Sequence, residues 1–447
     1  VDASSLFLTP GKKSNQKSKA ERVGPERKAK NGQAKKVVAL PKAKERQAVR
    51  ELIERIVAEC PVRRPTSADE RRAQLIVRDE FEKLGLKTHE ESFTFNENLY
   101  ANLALHFGVG TLGSVVSGVA PLAGLLLHLT AGVSYWADST RRAYLLRRLL
   151  PFQASQNLVA TIPAAGEPDL RLVILAHADA AFTGLIFDPR MIKLISGAPP
   201  FGISYLSRSL AMTTHSQFVL AGFDFLRLCF GPLTWPLRPL EALLSVPALL
   251  AFVLNLQMVL RDEIVPGAND DLSGVAALVA LAQRLGPAKP ANVELDFVVT
   301  GCEETSLGGA DALVRSKQGV WDRTKTVFLG LDGLTNGELK FLEPEGEVVA
   351  VSVPRWLRAL VEETAVSESR FAEVEPFQPP VGGSDIAAVL ARGWDGVCLA
   401  CVDMERGSPR HYHAPTDTPE NLEYDQLMFS IDFAERLARK IIEFKLR

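Results

Sequence analysis

Histidines and carboxylates close or follow apolar runs at five places in the chain. They are His177-Ala178-Asp179, the stretch Gly267 to Gly274 with Asp270 and Asp271, Glu303-Glu304, Asp332, and His411 to Thr418 with Tyr412 and His413. Polar groups that end an apolar strand are unusual, and in open α/β sheets ligands bind at that edge. Imidazole and carboxylate donors without cysteine suit divalent, zinc-like ions. Two such ions held close together repel, so one carboxylate must bridge them, while each ion takes its own His and its own carboxylate. A His, Asp, Glu, Asp, His set meets that need. A further carboxylate must serve as general base, and Glu303 stands beside Glu304. Another must orient a ligating imidazole, and Asp179 lies two residues after His177.

Singly, each cluster has an ordinary structural role. Asp270-Asp271-Leu272-Ser273 could cap the helix expected at 272, Glu303-Glu304 could complement a helix dipole, and Asp332 could sit in a turn. Their order, each after a buried strand, points to one site.

The elements that must position them alternate. Helical spacing covers 43–59. Ser67 with Glu70 forms a capping box for the next helix, and Gly85 stands where a C-terminal cap belongs. Residues 87–95 alternate like a strand, and 156–163 and 170–180 are apolar strands. From 266 onward helices near 272–286, 308–317, 354–366 and 423–444 alternate with strands near 292–300, 325–333 and 396–404. This predicts a three-layer αβα architecture with a mostly parallel mixed sheet.

With 447 residues, 47% hydrophobic and 23% charged, the chain can bury a large core. The formal net charge of -2 excludes a globally basic nucleic-acid binder. Five cysteines do not make a disulfide scaffold at this length. Cys398 and Cys401 have zinc-knuckle spacing but read as buried thiols of an apolar strand. Residues 1–42 are basic and nearly free of apolar side chains, which predicts a disordered arm ahead of a domain over 43–447. No apolar stretch of the kind a secretory signal needs follows its charges.

The motifs AHAD, PGANDDLSG, GCEE, LD and YHAPTDT resemble those of metallopeptidase family twenty-eight, the co-catalytic zinc aminopeptidases. The likeness covers roughly 60–100, 155–182 and 265–445. It implies a zinc exopeptidase fold of the phosphorylase/hydrolase-like type and two zinc ions. His177 and Asp332 would hold one ion, Glu304 and His413 the other, and Asp270 would bridge them, in preference to Asp271. Glu303 would be the general base, Asp179 the orienter of His177, and Tyr412 a donor to the tetrahedral oxyanion. Gly382-Gly383-Ser384-Asp385 resembles a substrate-side loop, and His411 falls outside the pattern. The substrate would be a peptide with a free N-terminus. The family also includes glutaminyl cyclases, so an acyltransferase on the same scaffold is the alternative. A catalytically inactive, membrane-associated binding protein is a further one, against which the full ligand set counts.

Two apolar insertions, 98–150 and 183–264, depart from that family. Residues 98–137 carry no formal charge and are broken by Pro121, and 242–260 are likewise uncharged. Because each insertion leaves the sheet and returns, each would cross a bilayer an even number of times, as a hairpin. The rival is a water-excluding helical cap. Membrane association through 98–137 and 209–260 is expected. The flanks Arg141, Arg142, Arg147, Arg148, Arg190, Lys193 and Arg261 would place the peptidase domain in the cytoplasm.

Overall fold

The computed structural model describes residues 41–196, 208–380 and 382–447. The basic arm expected over 1–42 lies almost wholly outside the described residues, as does 197–207 of the second insertion.

In chain order the elements are α1 (Lys42–Glu59), α2 (Ala68–Lys83), β1 (Lys87–Phe95), α3 (Leu99–Val116), α4 (Pro121–Ser139), β2 (Gln153–Ile162), β3 (Leu170–His177), β4 (Phe182–Thr183), α5 (Pro189–Ser196), α6 (Ser209–Phe230), α7 (Arg238–Arg261), β5 (Glu263–Ile264), α8 (Leu272–Leu285), β6 (Val293–Thr300), α9 (Gly308–Ser316), β7 (Thr326–Asp332), β8 (Glu338–Leu342), α10 (Arg355–Val366), β9 (Pro376–Phe377), α11 (Asp385–Ala391), β10 (Asp395–Val402) and α12 (Tyr424–Lys445). Eight strands form one sheet in the order β1-β2-β6-β3-β7-β10-β8-β9. Its centre, β6-β3-β7-β10, is parallel, while β1-β2, β2-β6 and β10-β8 pair antiparallel.

Period-two alternation explains the layers. Leu172, Ile174 and Ala176 of β3 join one core with α1, α2, α8, α10 and α12, whereas Val173 and Leu175 join a second with Leu313 of α9 and Ile386 of α11. The three-layer expectation holds. The capping box is half realised. Ser67 accepts the amide of Glu70 at 3.2 Å, but the Glu70 carboxylate turns inward to Thr66 N, Cys302 N and Ser155 Oγ. Gly85, at φ 82°, supplies the left-handed residue after α2.

The insertions form a four-helix bundle. Pro121 starts α4 at its first turn, where its missing N–H is no loss. In the bundle α3 packs on α4 and α7, α4 on α6, and α6 on α7. Beside an apolar core of Tyr100, Leu103, Phe107, Tyr135 and Met258, its interior holds ionisable groups. His128 and Asp224, each 1% exposed, pair at 2.8 Å, and Asp224, Ser117, Arg227 and Glu241 form one buried hydrogen-bonded chain. At Gly124 a Cβ would meet Asp224 Oδ2 at 2.8 Å, so the close approach needs glycine. Leu122, Leu126, Phe225, Leu243, Leu250 and Val253 face outward. Of the charges that interrupt the apolar run 209–260 in the sequence, Asp224, Arg227 and Glu241 are folded inside, whereas Arg238 stays exposed.

The expected basic flank is only partly a surface charge. Arg147 is fully buried in a two-pronged pair with Asp138, and Arg141 is buried against Ser306. Both satisfy internal partners, so they do not serve as free membrane-side cations.

Candidate active site

The parallel strands deliver their polar ends to one edge. His177 closes β3 and Asp332 closes β7. Glu303 and Glu304 lie in the turn after β6, Asp270 precedes α8, and His413 comes from the loop after β10. The structure brings all six together. One Asp270 oxygen lies 3.1 Å from His177 Nε2 and the other 3.2 Å from His413 Nε2. Glu304 Oε2 is 3.5 Å from His413 Nε2, and Glu303 Oε2 is 3.8 Å from His177 Nε2. Donor atoms of His177, Asp270 and Asp332 lie within 4.8 Å of one another, as do those of Asp270, Glu304 and His413. Asp270 is common to these two groups, and a third, of His177, Glu303 and Glu304, meets the same distance.

The charge balance of this pocket asks for a cation. Burial pushes the Glu303 and Glu304 carboxyls well above the usual range, with the Glu304 charge adding to it at Glu303 and the Asp270 charge at Glu304. Asp332 rises to about 7 through burial and the nearby Asp270 charge. Asp270 is itself buried, yet the two histidines hold its carboxyl below the ordinary range. His177 is held well above 6.5 by Glu303, Asp179 and Asp270, against the lowering effect of burial. Glu304 Oε1 is buried without a hydrogen-bond partner. Several desolvated carboxylates facing two imidazoles are costly unless divalent charge neutralises them. The oxygen and nitrogen donors fit zinc.

Asp179 reaches both the His177 imidazole and the backbone of the Glu303-Glu304 turn. His177 Nδ1 lies 3.2 Å from the Asp179 main-chain carbonyl and 3.6 Å from its carboxylate. The carboxylate accepts the amides of Glu303 (3.1 Å) and Glu304 (3.0 Å). Asp271 faces backbone: it accepts the amides of His177, Gly274 and Gly333 at 3.0–3.1 Å. The Tyr412 ring lies 3.9 Å from that of His413. His411 points to Thr416 and joins none of these groups of donors. Ser384 caps α11, and Asp385 accepts from Thr300.

Two supporting residues escaped the sequence. Asp417, 1% exposed, accepts Asn269 N at 2.8 Å and Asp270 N at 3.2 Å, and so sets the loop that carries Asp270. Arg63, fully buried, donates to the carbonyls of Ala178, Pro266 and Gly267, tying the His177 and Asp270 loops together. Thr416-Asp417-Thr418 was visible as part of a motif, but nothing in the Arg63-Arg64-Pro65 turn signals burial.

Both insertions reach the site. Phe187 packs on His413 with ring centroids 4.3 Å apart, and Tyr100 of α3 lies 6.3 Å from Phe187.

An αβα sheet with histidines and carboxylates converging at its carboxyl edge defines a zinc exopeptidase type of fold. The family model described as Peptidase family M28 matches residues 254–435, which bears out the family resemblance. Five of the six converging residues fall within that match, and His177 lies before it. A zinc aminopeptidase from Bacillus subtilis shares 13% identity over 88% of this chain and 94% of its own, with a TM-score of 0.50. A glutaminyl cyclase from an Acidobacteriales bacterium shares 14% over 94% and 99%, also with a TM-score of 0.50. At such identity the likeness is one of fold. No curated protein matches the chain.

Proposed function

We propose that this chain is a zinc-dependent exopeptidase, acting as an aminopeptidase on peptides with a free N-terminus. The observation that carries it is Asp270, with one oxygen toward His177 and the other toward His413. His177 with Asp332, and His413 with Glu304, would hold one zinc ion each on either side of Asp270. Zinc bound there supplies Lewis-acid polarisation of the scissile carbonyl and acidifies water. Glu303, the carboxylate beside both groups, takes the proton of the attacking water and passes it to the leaving amine. The Tyr412 phenol donates to the carbonyl oxygen as it gains charge. Asp179 and Asp417 fix the Glu303-Glu304 turn and the Asp270 loop through their amides.

The protein is also proposed to be membrane-associated through α3, α4, α6 and α7. These have 18, 19, 22 and 24 residues. At about 1.5 Å per residue they run about 27 to 36 Å, close to the roughly 30 Å of a bilayer's hydrocarbon. A bundle with ionisable groups inside and leucines outside suits lipid rather than water.

The test is metal analysis of the purified chain together with a panel of aminoacyl-chromophore substrates. Zinc and release of the chromophore are expected. Cyclisation of an N-terminal glutamine peptide without incorporation of water, with no aminoacyl hydrolysis, would replace the aminopeptidase by an acyltransferase.

A further inference from the structure

The turn that carries Glu303 and Glu304 is held from two sides. Asp179 takes its amides. Its carbonyls are taken by two arginines from the end of the first insertion: Arg147 Nη1 donates to Thr305 O at 3.0 Å, and Arg141 Nη1 donates to Ser306 O at 2.7 Å and to Ser306 Oγ at 2.8 Å. Within this turn Cys302, Ser306 and Leu307 have φ of 56°, 87° and 58°. Side-chain-bearing residues avoid that region, and they persist there only where the surroundings over-determine them.

The arginines are themselves anchored to the foot of α4. Arg147 is gripped by Asp138 through two contacts of 2.8 Å. Tyr135 donates to Glu347 at 2.7 Å, and Glu347 also accepts from Ser306 Oγ at 3.0 Å. A planar guanidinium can hold a carboxylate with one edge and a carbonyl with the other, which a lysine cannot.

We propose that Arg141 and Arg147 are positioning residues that lock the Glu303-Glu304 turn in its working conformation, so that the helical insertion is a structural part of the catalytic centre. The inference rests on the roles given above to Glu303 as base and Glu304 as zinc ligand. It adds that the bundle is more than an attachment. The contacts run continuously from α4 through Asp138 and Arg147 to Thr305, one residue beyond Glu304.

The test uses the full chain in detergent micelles. Arg141→Ala removes one arm. The double substitution Asp138→Asn/Arg147→Gln removes the other without stranding a buried charge, and decides the matter should the first variant fail to fold. Amide hydrogen exchange in the 302–308 segment should quicken in either variant while the rest of the sheet keeps its protection. Zinc affinity, measured by chelator competition, should fall about 10- to 100-fold. With an aminoacyl-chromophore substrate, kcat should fall by up to about a hundredfold while KM changes little. Guanidinium ion should restore part of kcat in Arg141→Ala. Unchanged exchange and zinc affinity would overturn the proposal. So would a uniform loss of protection across the whole sheet, which marks an ordinary structural role. A wild-type chain that binds zinc but cleaves no aminoacyl bond would contradict the exopeptidase reading alone, since exchange and zinc affinity still report on the turn.

Discussion

The carboxylate of Asp179 accepts the backbone amide of Glu304 at 3.0 Å, while the Asp179 carbonyl faces Nδ1 of His177 at 3.2 Å. One residue therefore couples two donors that come from different strand ends. Asp179→Asn turns one acceptor oxygen into a donor that faces an N–H. Zinc affinity, activity or both should fall about 10- to 100-fold, since partners behind metal donors carry effects of that size. Chelator competition and kcat on the same preparation check it, and a variant matching wild type in both would remove Asp179 from the site.

Glu303→Gln keeps the shape of the side chain but not its basicity. Zinc content should be retained while activity falls by about 10²- to 10⁴-fold, the contribution of a positioned general base. Metal analysis beside initial rates separates this from loss of metal. Equal activity would reject the assignment.

Leu250, 55% exposed, stands near the middle of α7 on the outer face of the bundle. In a bilayer Leu250→Arg costs about 3–4 kcal/mol, the arginine penalty plus the lost leucine contribution. The variant should move out of the membrane fraction or accumulate poorly, and the wild-type chain should stay with membranes through a high-salt wash. A wild-type chain soluble without detergent, with Leu250→Arg behaving alike, would favour the helical cap.

Glu345 is buried beside Ser384, and burial pushes its carboxyl up from 4.5 to about 8. The folded chain therefore keeps a proton that the unfolded chain releases between those values. Stability contributed by Glu345 is full below about pH 4.5 and declines as pH rises to about 8, with a slope of at most about 1.4 kcal/mol per pH unit. In Glu345→Gln that decline should be absent, so its Tm should fall less than that of wild type between pH 5 and 8. Parallel Tm curves would contradict this.

The sequence shows where strands end, because apolar runs stop abruptly at His177, Thr300 and Asp332, and alternation marks Lys87–Phe95 as a strand. Residues whose role is to project from a strand end are legible for that reason. Asp271 is legible as a cap of α8 and Asp179 as a neighbour of the His177 imidazole, but their other contacts, and those of Asp417, are not, because they depend on which amides turn toward them in three dimensions. Arg147 reads as a flanking charge and Asp224 as an interruption of an apolar run. Burial against Asp138 and His128 respectively changes both meanings: Asp138 is only nine residues from Arg147, but no pattern in the sequence says that the pair is buried, and His128 lies 96 residues from Asp224.

Anomalous diffraction at the zinc edge on crystals of the zinc-loaded chain tests the central claim most directly. Two peaks are expected, on opposite sides of the Asp270 carboxylate, one beside His177 and Asp332 and the other beside Glu304 and His413. No peak within that pocket, or peaks bound by other residues, would contradict the proposed zinc centre and with it the hydrolase.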